Sequence, residues 1–108
     1  MKLLFAIIQN DDTKPLTHAL IDAGISVTRI SSTGGFLSGG NTTLMIGVQD
    51  ERLNDALEEI RAHSSRRQVT TIPSVGVPHS IDCAAMPVSV SVGGATVFIL
   101  NVDQAVKF

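Results

Sequence analysis

The chain has 108 residues and a formal net charge of -2, with 44% hydrophobic and 17% charged residues, and its mean hydropathy is +0.28. That is the size of one domain with a real core, and it is too apolar and too weakly charged for a disordered chain. The slightly acidic balance excludes a generic DNA- or RNA-binding protein, and no apolar run approaches the roughly 20 residues that span a bilayer.

The first element is the apolar run Leu3 to Gln9. It opens like a secretory signal, but the run stops at Ile8 before Gln9-Asn10-Asp11-Asp12, and no small-x-small cleavage site follows, so it reads as a first strand. A helix follows, with an apolar stripe at Leu16, Ala19, Leu20 and Ala23 in i, i+3, i+4, i+7 spacing. Asp12 or Thr13 is its expected cap, Pro15 its expected first-turn residue and Gly24 its stop. Ile25 to Ser31 reads as the second strand and Leu44 to Gln49 as the third. Asp50 is expected to cap a second helix, whose stripe Leu53, Ala56, Leu57 and Ile60 repeats the spacing of the first.

The segment Ser64 to Pro87 is long and irregular, with Arg66-Arg67, Pro73, Gly76 and Pro78, and Val69 to Ile72 is a short strand candidate within it. It reads either as a functional lid or as plain surface loop, and its composition predicts that residues 64–86 move in the absence of ligand. Val88 to Val92 and Ala95 to Val102 are the remaining strand patterns, and Gly93-Gly94 between them reads as a hairpin turn.

Strand, helix, strand, twice over with one strand to spare, predicts the α+β class. The expected architecture is a ferredoxin-like βαββαβ sandwich, with both helices on one face and an extended loop after the second helix. The strands are apolar on both faces: Leu3, Phe5 and Ile7 alternate with Leu4, Ala6 and Ile8, and the later strands repeat this. Two helices cover one face only. A second copy of the chain is the favoured cover for the other, with Ala6 named as a position where a charge would break assembly, and the loop 64–86 is the alternative cover.

Six of the nine glycines form three pairs, Gly34-Gly35, Gly39-Gly40 and Gly93-Gly94. The first two flank Phe36-Leu37 among small hydroxyl residues. Glycine lets backbone N–H groups approach an anion, Asn41 can donate to and accept from an adenine edge, and Phe36 can stack on a base. A nucleotide site and a flexible hairpin tip both fit these residues. Gly35 to Thr42 has the spacing of a phosphate-binding P-loop, but Asn41 stands where its lysine belongs and a strand follows in place of a helix.

His18, His63 and His79 lack metal-ligand spacing, and nothing supports Cys83 with His79 as nucleophile and base, so neither a metal site nor an enzyme is expected. The single cysteine fits a cytoplasmic protein.

The run Thr33-Gly34-Gly35-Phe36-Leu37 with Gly40-Asn41-Thr42-Thr43, the later Val92-Gly93-Gly94-Ala95-Thr96-Val97-Phe98 and the opening Lys2 to Gln9 resemble the PII-like cyclic di-AMP receptor family. The resemblance covers the chain, residues 1–108, as a single PII-like domain. It implies a cytoplasmic signal-transduction homotrimer, binding cyclic di-AMP at clefts between subunits, without catalysis and with an unknown downstream partner. It implies that Thr28 and Asn41 recognise adenine near the Gly47 backbone, that Gly35, Phe36 and Leu37 wrap the ligand, and that Phe98 lines the pocket. Family members often carry Asn and Arg where this chain has Gly24 and Ser26, and Gln where it has Lys107. The alternative implied is therefore a PII-like trimer that binds another adenine nucleotide, or cyclic di-AMP weakly.

Overall fold

In a computed structural model, described for residues 1–30, 40–71 and 87–108, the chain begins with strand β1 (Lys2–Gln9) and helix α1 (Asn10–Asp22). β2 (Val27–Ile30) and β3 (Asn41–Val48) follow, then a 3₁₀ turn (Asp50–Arg52) and α2 (Leu53–Ser64). Three strands complete the order: β4 (Arg67–Thr71), β5 (Val88–Val92) and β6 (Ala95–Asn101). Four of these strands form an antiparallel sheet in the order β2-β3-β1-β6, while β4 and β5 pair with each other as a separate antiparallel ribbon. The four-stranded sheet with α1 and α2 is the expected ferredoxin-like arrangement.

Two sequence expectations are corrected here. The closing strand of the main sheet is β6, and Val88–Val92 belongs to the ribbon. Gly93-Gly94 is therefore not a hairpin turn, because β5 and β6 do not pair with each other. It is the bend that carries the chain from ribbon to sheet. Both glycines have positive φ, 80° and 105°, and a Cβ at Gly93 would lie 2.5 Å from the Ser65 carbonyl oxygen. Only glycine fits such a bend. The short strand expected at Val69 to Ile72 is present and begins two residues earlier, as Arg67–Thr71 paired with β5; residues 72–86 lie outside the described residues.

The core lies between the sheet and its helices. Leu4, Ala6 and Ile8 on β1 and Leu44, Ile46 and Val48 on β3 are buried with Leu16 and Leu20 of α1 and Ala56 and Ile60 of α2. Ala23, Leu53 and Leu57 of the expected stripes are partly buried against this cluster. Period-two alternation on the strands and the helical spacing on the helices account for this set. Ala6 is fully buried beneath the helices, so it does not belong to the second face. That face carries Leu3, Phe5 and Ile7.

The helix ends differ from expectation in instructive ways. α1 begins at Asn10, ahead of the expected cap, so Asp12 and Thr13 are buried residues inside the helix. Asp12 accepts hydrogen bonds from the Arg67 guanidinium at 2.8 and 3.4 Å, tying the base of the ribbon to α1. Pro15 consequently sits within the helix. Asp50 makes no side-chain cap on the helical segment it begins; its carboxylate meets the Met1 amino group at 2.8 Å instead. The stop at Gly24 is as expected. With φ of 76°, it lets Ile25 N–H reach the Leu20 carbonyl and Gly24 N–H reach the Ile21 carbonyl, each at 2.9 Å. These two bonds satisfy carbonyls at the helix end and turn the chain into β2.

Candidate functional site

The sheet face opposite the helices can be read row by row from the strand register. One row crosses the whole sheet as Thr28, Met45, Phe5 and Phe98. The row on one side is Ile30, Thr43, Ile7 and Thr96, and the row on the other includes Gly47, Leu3 and Leu100. Leu3, Phe5, Ile7 and Met45 are half-buried, while Phe98 and Leu100 remain 55% and 44% exposed. This is the second apolar face that the strand alternation predicts.

Four of the residues expected at a ligand site are described, and all four belong to this face. Thr28 is on β2, Asn41 and Gly47 are on β3, and Phe98 is on β6. Asn41, the first residue of β3, is exposed and lies opposite Gln9. Gly35, Phe36 and Leu37 lie outside the described residues. The four do not converge within one chain. Asn41 and Gly47 are separated by about 20 Å along one strand, and Thr28 and Phe98 by about 14 Å across the sheet, from ordinary strand spacings.

Two depressions sit near opposite ends of β3. At the Asn41 end is a groove of about 370 Å³, bounded by Gln9, Asn41, Arg66, Gly93, Gly94 and Thr96 among others. The base of the ribbon shapes it. Gly93 N–H donates to Gln9 Oε1 at 2.8 Å, and Gly94 N–H donates to the Ser64 carbonyl at 2.6 Å. Behind it, on the helix side, buried Thr42 donates through Oγ1 to Asn10 Oδ1 at 2.5 Å. At the Gly47 end is a smaller depression of about 180 Å³, whose lining includes Gly24, Ser26, Gly47 and Arg52. Gly24 and Ser26, two of the three positions set apart in the sequence analysis, thus share one depression with Gly47. A third groove, about 360 Å³, runs beside α1 with Lys14, His18 and Arg29. Arg29 lies opposite Leu44, on the helix side, as its phase against Ser26 and Thr28 requires.

The neighbouring arginines 66 and 67 have different environments. Hydrogen bonding to Asp12 raises the pKa of Arg67, with the Asp12 charge adding to the effect. Arg66 is exposed, it borders the Asn41 groove, and among the described residues no carboxylate lines that groove. At the other end of the sheet, the hydrogen bond from the Met1 amino group lowers the Asp50 pKa. Among the described residues, no group of His, Cys, Asp and Glu is arranged to hold a metal ion. No described helix is long and apolar enough to cross a membrane.

Sequence reasoning missed Gln9, Arg66 and Thr96 as neighbours of Asn41. The one available signal was the Arg66-Arg67 pair at the end of the second helix; its proximity to Gly93-Gly94 depends on the pairing of β4 with β5, in which Arg67 lies opposite Val92.

The profile of a family described as cyclic-di-AMP receptor matches residues 1–108. A solved structure from Pediococcus pentosaceus, titled as a functionally unknown protein, is 41% identical, with a TM-score of 0.80 and coverage of 99% of this chain and 96% of that one.

Proposed function

Because the chain belongs to the cyclic-di-AMP receptor family, we propose that its single domain, residues 1–108, is a cytoplasmic signal-transduction protein that binds cyclic di-AMP at clefts between the subunits of a homotrimer. Binding, without catalysis, changes the segments between β2 and β3 and between β4 and β5, and a downstream protein reads that change. The observation that carries the cleft is the spread of Thr28, Asn41, Gly47 and Phe98 over one apolar face. Residues at opposite edges of one sheet can meet when copies join head to tail, because each copy then sets its β6 edge against the β2 edge of the next. A head-to-tail contact that closes makes a ring. Burial of Phe5, Met45, Phe98 and Leu100 in that ring supplies the driving force.

In this reading the Asn41 amide donates to and accepts from an adenine edge, with Thr28 and the Gly47 backbone completing base recognition. Gly35, Phe36 and Leu37 wrap the ligand, and Phe98 lines the cleft from the last strand. Gly24 and Ser26, which line the Gly47 depression, favour a second reading: a trimer that takes another adenine nucleotide, or takes cyclic di-AMP weakly. Calorimetry with cyclic di-AMP, ATP and cyclic di-GMP side by side tests both. Saturable binding of cyclic di-AMP with one ligand per subunit supports the first reading, preference for ATP supports the second, and no binding of any of the three defeats both. Sedimentation of a stable monomer at micromolar concentration would overturn the ring.

A further inference from the structure

We infer that the groove beside Asn41 is the phosphate subsite of the ligand site and that Arg66 is its charge partner, an assignment that rests on the nucleotide-receptor reading above. The groove, about 370 Å³, is polar, and among the described residues its lining includes Arg66 but no carboxylate. Its two glycine N–H groups are already committed, Gly93 to Gln9 Oε1 and Gly94 to the Ser64 carbonyl. Among the described residues, an anion entering it therefore meets one charged donor, the Arg66 guanidinium, with the Asn41 amide and Thr96 hydroxyl as neutral donors.

The other cations described on the fold are engaged or placed elsewhere. Arg52, Arg61 and Arg67 are paired with Asp55, Glu58 and Asp12. Lys2 donates to Asn101, Lys14 and Arg29 border the groove beside α1, and Lys107, exposed near the C-terminus, is not among the residues that line the Asn41 groove. Arg66 is held where it can act by the chain on both sides of it. Arg67 is fixed on Asp12, and the Gly94 bond to Ser64 holds the ribbon base against the end of α2. Gly94 lies beside the Arg66 stem, where a Cβ would stand in ordinary van der Waals contact, 4.0 Å from the Arg66 Cβ. A planar guanidinium with parallel N–H donors suits the two free oxygens of a phosphodiester, or of a terminal phosphate. Asn41 on the same groove would put base and phosphate recognition side by side.

The test compares the parent chain with Arg66→Gln, Arg66→Lys and the helix-surface control Arg61→Gln, titrated with cyclic di-AMP, ATP and inorganic phosphate at two salt concentrations. The expected result is a roughly ten- to hundredfold loss of cyclic di-AMP affinity in Arg66→Gln, the range for a charge-assisted contact. The salt dependence of binding should flatten, the melting temperature of the free protein should stay unchanged, Arg66→Lys should recover part of the loss, and Arg61→Gln should match the parent. The same pattern with ATP in place of cyclic di-AMP supports the subsite with a mononucleotide phosphate as its occupant. Equal cyclic di-AMP affinity and salt dependence in Arg66→Gln and a parent that binds would overturn the Arg66 assignment alone. A loss accompanied by a lowered melting temperature and not repaired by Arg66→Lys would make Arg66 structural and overturn it as well. A parent that binds no nucleotide defeats the receptor reading, and the subsite with it.

Discussion

On β1, Leu4, Ala6 and Ile8 are 0%, 0% and 1% exposed beneath the helices, whereas on the opposite face, one strand away, Phe98 stands 55% exposed. The two faces are built from the same residue types on the same strands. One is closed by helices that the chain itself supplies, and the other presents half-buried Phe5, Ile7 and Met45 between exposed edges. Apolar content therefore reports how much surface must leave water, and connectivity decides which part of it is buried within the chain. The covered face should govern whether the chain folds. The open face should govern what the folded chain associates with.

Substitutions can separate these roles. The largest effect is expected from Phe5→Glu, which places a charge at the centre of the open face, where burial without a partner is costly. It should reduce the proposed trimer to monomers in sedimentation at micromolar concentration while the far-ultraviolet circular dichroism of the fold persists; a trimer that survives the change would place any subunit contact elsewhere. Leu44→Ala should do the reverse. It removes a fully buried side chain and should cost about 2–5 kcal/mol in chemical denaturation. A value near zero would mean that the helix-covered face is not the core.

Asn41→Ala should weaken adenine-nucleotide binding by roughly 1–3 kcal/mol, the range for a bidentate base contact. Because Asn41 is exposed at the end of β3, its melting temperature should hardly move, and a large fall without loss of binding would make it structural. Arg67→Gln should behave differently from the neighbouring Arg66→Gln. It leaves the buried Asp12 carboxylate without its guanidinium, and a fall of roughly 5 °C in melting temperature is expected. The smallest effect is expected at Asp50. Its lowered folded-state pKa means a stabilising contribution present above the ordinary carboxylate pKa and lost as pH falls through the folded value. Asp50→Asn should flatten that acid limb slightly in a melting series, and an unchanged series would show that the exposed pair contributes nothing measurable.

The architecture was largely legible because its signals are local. Leu16 and Leu20, or Ala56 and Ile60, reveal a helix face through spacing alone, and Gly24 marks a stop through its own backbone freedom. The membership of Asn41, Gly47, Thr28 and Phe98 in one face follows from period-two alternation once the strands are paired. The errors came where two local signals competed with a distant contact. Asp12 has the chemistry of a helix cap, yet Arg67, far along the chain, draws it into an ion pair inside the helix. Gly93-Gly94 has the chemistry of a hairpin turn, yet β5 pairs with β4 and β6 with β1.

Composition and periodicity thus determined the class of fold and the two apolar faces, and the resemblance carried by the glycine motifs pointed to the kind of ligand to test. Only the tertiary structure decided which face Ala6 occupies, that the last two strands lie in different sheets, and that Arg66 and Asn41 border the same groove. The physical reason is the range of the forces involved. Helix spacing and glycine conformations are set within a few residues, whereas a strand register is fixed only when segments distant in sequence bury their apolar faces together, and a shift of one residue would exchange those faces.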